Sequence, residues 1–241
     1  MRISVCIATY NGEKYIYAQL ESILKQLSWD DEVVISDDSS IDKTVDIIRS
    51  FRDKRIRLIE SDRARSPVYN FENGLKLVRG DIIVLSDQDN IWPANRVNII
   101  RKHFSRKKSA INTLVMDGVI IDERGNVLST SILEEIRFRK GIIKNLVRNT
   151  YMGCAMAFSR DLPEVALPFP KNLPMHDIWL GILSEIHGEV DLCREKTLEF
   201  RIHSLNASLK DLADISHLKR IRWRFFLVVN LLQRYLLVHR K

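Results

Sequence analysis

Short apolar runs and longer stretches of helical periodicity alternate along the first ninety residues. The apolar runs are rich in β-branched residues and too short for helices, and an S-x-x-D signal at Ser39 and Asp42 marks the start of a helix. We predict strands at 3–9, 32–36, 55–60 and 81–86, and helices at 13–27, 39–51 and 66–78. Such alternation predicts an α/β fold with a mostly parallel sheet flanked by helices.

The second half of the chain is less regular. We predict two strands within 111–129 joined near Gly118 or Gly125, a strand entering a turn at 153–162, a proline-rich loop at 168–174, a helix at 176–188, and a short strand running into a polar loop at 197–208. These elements divide the chain into one domain at 1–208, made of the halves 1–110 and 111–208, and a tail at 209–241.

Residues 217–241 of the tail predict a basic amphipathic helix. One face of it carries Leu218, Ile221, Phe225, Val229, Leu232 and Leu236. The segment has seven Lys or Arg and no Asp or Glu, so it accounts for the whole net charge of +7. This pattern favours peripheral contact with an anionic membrane. The alternatives are packing on its own domain or on a second subunit, as a homodimer, whereas the lack of base-reading polar groups argues against nucleic acid.

Three cysteines, Cys6, Cys154 and Cys193, are scattered among apolar neighbours. Their odd number and wide spacing predict buried free thiols in a reducing compartment rather than a disulfide framework or a zinc site. No run of eighteen apolar residues occurs, so we predict no spanning helix. The expected location is the cytoplasm, at the inner face of the cell membrane if the tail binds lipid.

Polar clusters follow three of the predicted strands: "TYNG" at 9–12, "DDSS" at 37–40 and "DQDN" at 87–90. Ligands of parallel sheets bind beyond the carboxyl ends of the strands. Asp, Asn, Ser and Gly are common in turns, which is enough to explain any one of these clusters alone. The presence of all three at one edge of the sheet predicts a binding site.

Asp87 and Asp89 stand two positions apart, so both carboxylates can face one ligand. Oxygen ligands of this kind suit Mg²⁺ or Mn²⁺. Neither glycine-rich phosphate motif, G-x-G-x-x-G or G-x-x-x-x-G-K-[ST], is present in the sequence. We therefore expect a cation to neutralise a nucleotide diphosphate that departs as a leaving group.

Four segments occur in order: "ISVCIATYNGEKYI", "VVISDDSSIDKT", "NFENGLKLVRGDIIVLSDQDNIWPANRV" and "MHDIWLG". Together they resemble the successive motifs of family 2 glycosyltransferases, over about residues 1–208. With "GCAMAF" and "FRIHSLN" they are most similar to the bacterial rhamnosyltransferase-like branch, which acts in cell-surface polysaccharide synthesis. The resemblance implies the A-type nucleotide-diphospho-sugar transferase fold, with nucleotide binding in 1–110 and acceptor binding in 111–208.

The resemblance also assigns roles to the donor-side residues. Ala8, Thr9 and Tyr10 would lie against the nucleotide, and Asp38 would hydrogen-bond the base. A carboxylate accepts from the N3–H of uracil or thymine, which implies a UDP- or dTDP-sugar donor. Asp87 would lie near the ribose. Asp89 and His203 would ligate the metal, although strand alternation explains the R-x-H spacing equally well.

Asp177 resembles the catalytic base of an inverting transfer, which takes the proton of the acceptor hydroxyl. The alternative for Asp177 is a helix cap. The resemblance implies further acceptor or diphosphate contacts for His176, Trp179 and Arg201, although a lone His is more often structural and Trp179 fits the core better than a sugar-stacking platform. Asn90 stands where the family more usually has Asp, and we interpret it as a bystander.

The predicted function is the metal-dependent, inverting transfer of a sugar to a glycan or lipid-linked acceptor. The similarity to the rhamnosyltransferase-like branch favours rhamnose as that sugar. A non-catalytic sugar-nucleotide binding module and a sugar-nucleotide pyrophosphorylase are the alternatives, although the second needs a glycine-rich basic loop that "ATYNGEKY" does not provide. An acidic-pocket receiver domain would leave 176–208 unexplained.

Overall fold

The computed structural model describes residues 1–61, 66–106, 109–203 and 217–238. The predicted loop after His203, at 204–208, the tail residues 209–216 and the last three residues lie outside these ranges. The strands are β1 (Ile3–Thr9), β2 (Glu32–Asp37), β3 (Ile56–Glu60), β4 (Ile82–Ser86), β5 (Asn112–Ile121), β6 (Val127–Ser129), β7 (Met156–Ser159) and β8 (Glu189–Arg201).

Helices cover both faces of the sheet. They are α1 (Ile16–Leu24), α2 (Thr44–Ser50), α3 (Pro67–Leu75), α4 (Arg96–Phe104), α5 (Ile132–Glu135), α6 (Ile142–Val147), α7 (Asp161–Ala166), α8 (His176–His187) and α9 (His217–Val238). A short 3-10 helix, Gly153–Ala155, precedes β7. Every helix and strand predicted in the first ninety residues is present, with ends shifted by up to five residues.

One sheet unites the two halves of the domain, in the order β3-β2-β1-β4-β7-β5. The first four strands are parallel, as predicted, whereas β7 is antiparallel to both of its neighbours. β8 runs parallel to β5 along its whole length. Because β7 and β6 pair with the same residues of β5 as β8 does, they lie on the opposite edge of β5. The sheet is therefore mixed.

Strand alternation divides the core into two layers. Ile3, Val5 and Ile7 of β1 pack into the layer that α1 covers, and Cys6 points into the layer that α3 and α8 cover. Successive side chains of a strand point to opposite faces. A strand buried on both faces is therefore apolar throughout, as the runs in the sequence show.

The predicted capping signal of α2 is wrong. Ser39 has a positive φ of 59°, and its hydroxyl donates to the Ser61 carbonyl at 2.8 Å. The helix begins five residues later, at Thr44, whose backbone N–H donates to Asp42 Oδ1 at 2.9 Å. A turn therefore separates the end of β2 from the start of α2.

The hairpin within 111–129 turns at Gly125, where φ is +89°, while Gly118 lies inside β5. Helices α4 to α7 and the first half of β8 were not predicted. Residues 194–196, "REK", are charged and exposed, and the register of β8 to β5 shifts after Cys193. A pattern that depends on alternation therefore misses this part of the strand.

The predicted tail helix is present as α9 and packs on its own domain through Leu227 and Leu231, which are 4% and 5% exposed. The Arg234 guanidinium donates to the carbonyls of Leu167 and Pro168. In the described ranges, no helix is both long enough and apolar enough to cross a bilayer.

Candidate active site

The three predicted polar clusters meet at one edge of the sheet. β1 lies between β2 and β4, and the register places Thr9 beside Asp37 and Ile7 beside Ser86. The segments that follow these strands are therefore neighbours. Thr9, Asp38 and Asp89 are buried, so the edge is a built polar site and not a set of surface turns.

Gln88, the middle residue of the D-x-D triplet, joins the first cluster to the third. The Tyr10 backbone N–H donates to Gln88 Oε1 at 2.9 Å, and Gln88 Nε2 donates to the Tyr10 carbonyl at 3.0 Å. A Cβ on Gly12 would lie 2.3 Å from Gln88 Oε1, so any larger residue at position 12 requires this amide to move. Sequence reasoning assigned no role to Gln88.

Replacing Gly12 by Ala should lower the free energy of unfolding by about 1–3 kcal/mol, because Gln88 must leave its two backbone partners. In a Gln88→Ala background the same replacement should have a much smaller effect. Urea unfolding of the four proteins in this double-mutant cycle measures the coupling. Additive effects of the two substitutions would contradict the contact.

Asp37 and Asp38 are adjacent in sequence and have different partners. Asp37 Oδ2 accepts from the hydroxyls of Thr9 at 2.6 Å and Ser40 at 2.7 Å, so this carboxylate shapes the loop. Asp38 donates its backbone N–H to the Thr9 carbonyl and accepts from the Ser66 N–H at 2.9 Å. Of the two carboxylates, Asp38 is the one predicted to contact the base, and that role stays a prediction.

Asp87, at the end of β4, has its pKa raised to about 7. Burial is the main cause, and the nearby Asp89 carboxylate adds to it, while the Cys154 thiol and the Asn90 amide partly offset it. The backbone of Cys154 is fixed by the buried Arg96, which donates to its carbonyl at 2.7 Å. The two carboxylates of the D-x-D therefore interact, as their spacing predicts.

Asp89 and His203 lie together although 114 residues separate them in sequence. Asp89 Oδ2 and His203 Nε2 are 2.9 Å apart, and the His203 ring stacks on Tyr15 at 4.7 Å between centroids. The contact follows from the pairing of Ile91 with Glu199, which fixes the end of β8 beside the loop after β4. The predicted metal pair is thus adjacent.

The Arg201 side chain is buried and donates to backbone carbonyls, Nε to Asp89 at 3.1 Å and Nη1 to Asp122 and Glu123. Asn90 Oδ1 accepts from the Arg201 N–H at 3.2 Å, so Asn90 is not a bystander. Both residues fasten β8 to the D-x-D loop. A diphosphate contact for Arg201 stays a prediction.

Asp177 lies in the first turn of α8 and is 8% exposed. Its Oδ1 accepts from the Ile178 N–H at 2.7 Å and from Asn149 Nδ2 at 3.2 Å. The pKa of Asp177 is raised to about 7, mainly by burial and partly by the charge of Asp87, while the hydrogen bonds from Ile178 and Asn149 partly offset the shift. Asp177 is therefore within electrostatic range of the D-x-D. Sequence reasoning missed Asn149, because an isolated Asn in a loop carries no signal.

The raised pKa of Asp177 gives a prediction for stability. Its carboxyl loses its proton near pH 4 in the unfolded chain and near pH 7 in the folded one, so the folded state binds more protons in between. The free energy of unfolding therefore falls as the pH rises through this window. We expect Asp177→Asn to raise Tm relative to the wild type at about pH 8 and to have little effect at about pH 4.

Thermal unfolding in EDTA checks this expectation. Asp161→Asn is the matched control, because Asp161 lies in the first turn of α7 and is exposed. A wild-type-to-variant Tm difference that stays constant between the two pH values would contradict the raised pKa of Asp177.

His176 and Trp179 flank Asp177 on α8. Burial lowers the pKa of His176 to about 4, and its ring packs against Phe71 at 4.3 Å, so the imidazole is neutral at physiological pH. Trp179 is fully buried, and its Nε1 donates to the Ala166 carbonyl at 3.0 Å. Trp179 is thus a core residue, the alternative stated above, and it presents no ring face to a sugar.

The donors at the edge fit a cation that keeps several non-protein ligands. Asp89 and His203 supply one carboxylate and one imidazole, with Asp87 close by. Within the described residues, no three or more His, Cys, Asp or Glu side chains form a complete metal-binding group. An incomplete set of this kind suits Mg²⁺ or Mn²⁺, which complete their shells with phosphate and water.

The family sequence model of glycosyl transferase family 2 matches residues 4–164, which is more than half of the chain. The chain belongs to glycosyl transferase family 2. The matched segment contains the sheet edge with Asp38 and the D-x-D but ends before Asp177 and His203. The predicted family and enzyme class, a glycosyltransferase, are confirmed.

Curated relatives of this family 2 chain come from several organisms. It is 28% identical over 185 residues to WfgD of Escherichia coli, named a UDP-Glc:alpha-D-GlcNAc-diphosphoundecaprenol beta-1,3-glucosyltransferase, covering 76% of this chain and 70% of WfgD. It is 34% identical over 118 residues to RfbG of Shigella flexneri, named a dTDP-rhamnosyl transferase, covering 46% of this chain and 37% of RfbG. An uncharacterized glycosyltransferase of Methanocaldococcus jannaschii is 30% identical over 209 residues, covering 83% of this chain and 70% of that protein.

Solved structures confirm the fold of this family 2 chain. TarS of Staphylococcus aureus in complex with UDP-GlcNAc has a TM-score of 0.75 at 18% identity, covering 95% of this chain and 67% of the TarS chain. The mannosyltransferase PcManGT of Pyrobaculum calidifontis, in complex with GDP-Man and Mn²⁺, has a TM-score of 0.64 at 18% identity, covering 86% of this chain and 59% of that chain. The predicted A-type fold is confirmed.

Proposed function

We propose that the protein transfers a sugar, with inversion, from a UDP- or dTDP-sugar to a glycan or lipid-linked acceptor. The observation that carries the proposal is the convergence of Asp177 on the D-x-D. Asp87 and Asp89 follow β4, His203 follows β8, and Asp177 lies on α8, where the charge of Asp87 acts on it. Asp89 and Asp177 are buried and Asp87 is half-buried, an arrangement of carboxyl groups that a ligand site explains better than core packing does.

Asp177 is proposed as the general base. A base works best when its pKa lies near the working pH, because it must be ionised and still hold a proton well. Burial places the pKa of Asp177 at about 7, and Asn149 orients its carboxyl. Asp177 takes the proton of the acceptor hydroxyl while that oxygen attacks the anomeric carbon from the side opposite the leaving diphosphate.

The donor side is proposed to use Asp38 and Asp89. Asp38 accepts from the N3–H of uracil or thymine, and the backbone around Thr9 and Tyr10 lies along the nucleotide. Asp89 and His203 are proposed to hold Mg²⁺ or Mn²⁺, which when bound neutralises the charge of the departing diphosphate. The complexes of TarS with UDP-GlcNAc and of PcManGT with GDP-Man and Mn²⁺ support this arrangement.

The sugar and acceptor classes are proposed from the relatives. WfgD is named for a UDP-glucose donor and a diphosphoundecaprenol-linked acceptor, and RfbG for dTDP-rhamnose. We therefore propose that the acceptor is a polyprenyl-diphosphate-linked glycan and that the donor carries glucose or rhamnose. The reaction would belong to cell-surface polysaccharide synthesis. The chain spans 70% of WfgD and 37% of RfbG, and neither name is carried over as an identity.

A thermal-shift screen of nucleotide sugars tests the donor proposal. UDP- or dTDP-sugars should raise Tm by roughly 5–10 °C at about a hundredfold excess over Kd, because a ligand that binds only the folded state stabilises it. The shift should require Mn²⁺ or Mg²⁺ and disappear in EDTA. No shift with any donor would overturn the proposal.

Transfer assays with the donor identified by the screen test the enzyme itself. Nucleoside diphosphate release should depend on a saccharide acceptor. Donor binding without transfer to any of a broad acceptor panel would instead support the alternative of a non-catalytic sugar-nucleotide binding module.

A further inference from the structure

Helix α9 has a second apolar face that is exposed in the part of the chain the structure describes. We name the outer stripe of α9 as Ile221, Phe225, Val228, Leu232 and Leu236, which are 59%, 71%, 37%, 59% and 52% exposed. Their spacing of three or four residues places them on one side of the helix. An exposed apolar stripe of this length on a folded protein marks an interaction surface.

The outer stripe cannot be buried by rotating the helix. Leu227 and Leu231 are packed in the core cluster on the other side. The Arg234 guanidinium donates to two carbonyls of the loop after α7 and lies 5.7 Å from the Trp179 ring centroid. These contacts hold the helix with its outer stripe facing away from the domain.

Helix α6 continues this surface. Arg224 Nη2 donates to the Val147 carbonyl at the end of α6, so the two helices are neighbours. Ile142 and Leu146 of α6 pack inward, whereas Ile143 and Val147 are 78% and 60% exposed. The exposed apolar residues of both helices therefore belong to one region of the molecule.

The two segments that contain α6 and α9 carry charge of a single sign. Residues 136–150 hold five Lys or Arg, 217–241 hold seven, and neither segment has an Asp or Glu. Lys144 on α6, Arg148 directly after α6 and Arg222 on α9 are exposed. Residues 1–216 taken together carry no formal net charge, so the basic surface is local.

We propose that α6 and the outer stripe of α9 form a docking surface for an anionic lipid bilayer. An interfacial helix buries its apolar side at the level of the acyl chains, while flanking Arg and Lys reach the phosphates of the headgroups. A second copy of the chain suits the surface less well, because a two-fold interface would place its basic residues against one another.

The surface adjoins the acceptor side of the site. Asn149, two residues after the end of α6, donates to Asp177 Oδ1. Membrane docking therefore places Asp177 near the headgroup region, where a lipid-linked acceptor carries its sugar. This last step depends on the proposed function, whereas the docking itself does not.

Flotation with vesicles tests the docking. The full chain should float with vesicles of phosphatidylglycerol and phosphatidylcholine, and at least about tenfold less with phosphatidylcholine alone. The double variant Phe225→Ser/Leu232→Ser should partition to the anionic vesicles at least about tenfold more weakly, because two apolar side chains no longer enter the bilayer. The matched control is Trp29→Ser/Leu128→Ser, which removes two side chains 90% and 60% exposed elsewhere.

Two results would overturn the proposal. One is equal partitioning of the wild type and the Phe225→Ser/Leu232→Ser variant. The other is a wild-type dimer in sedimentation that this variant converts to a monomer, without lipid binding by either, which would show that a second copy covers the stripe. Unchanged Tm of the variant, expected for exposed positions, excludes misfolding. Unchanged transfer to a water-soluble acceptor separates loss of docking from failure of the proposed function.

Discussion

Replacing Asp177 by Asn should lower sugar transfer by at least about a hundredfold, because a general base contributes 10²–10⁴-fold. Asn has the same shape and can still accept from the Ile178 N–H, so α8 keeps its first turn. The hydrogen bonds to Asp177 Oδ1 come from Ile178 and Asn149, and neither residue is proposed to bind the nucleotide, so donor affinity should change little. The substitution should therefore lower kcat, which is measured by nucleoside diphosphate release.

The control for this experiment separates catalysis from helix capping. Asp161→Asn changes an exposed Asp in the first turn of another helix and should leave transfer unchanged. The pH profile adds a second criterion. Wild-type kcat should fall as the pH drops below about 7, as Asp177 becomes protonated, and the residual rate of Asp177→Asn should lack this limb. Full activity of the variant would remove Asp177 as the base.

Replacing Asp89 by Asn should weaken ion-dependent donor binding by at least about a hundredfold, a loss typical of an altered metal site. The variant keeps the size of the side chain but removes the charge that the cation needs. Direct Mn²⁺ titration, followed by calorimetry, should show the same loss without any donor or turnover. His203→Ala should reduce both affinities in the same direction, because its Nε2 lies 2.9 Å from Asp89 Oδ2.

Asp46→Asn is the matched control for the Asp89 experiment, since Asp46 is exposed on α2. Donor affinity that is the same in EDTA and in Mn²⁺ would contradict a metal role for Asp89. A loss of donor binding in Asp89→Asn with Mn²⁺ affinity intact would place Asp89 on the nucleotide instead.

The first half of the site was predictable because its residues follow strands in sequence. Thr9, Asp38 and Asp87 each come directly after an apolar run, and parallel strands bring their carboxyl ends to one edge. The partnership of Asp89 with His203 was available only from the family resemblance. Physically it depends on the pairing of Ile91 with Glu199, which no local pattern encodes.

Other features escaped the sequence because long-range packing decides them. The tail shows one apolar stripe in its periodicity, yet Leu227 and Leu231, outside that stripe, make the contact with the domain. Gln88 acts through two hydrogen bonds to the Tyr10 backbone and Asn149 through a hydrogen bond to the Asp177 carboxylate, and no sequence pattern predicts either contact. Asn90 departs from the family pattern and still fastens β8.

The anomeric configuration of the product tests the central claim most directly, that Asp177 removes the acceptor proton during a single displacement. NMR of the product formed from the donor identified in the screen gives this configuration from the one-bond coupling at the anomeric carbon. We expect the anomeric configuration of the product to be inverted relative to that of the donor. Retention of configuration would contradict it, because a lone base opposite the leaving diphosphate allows one displacement only.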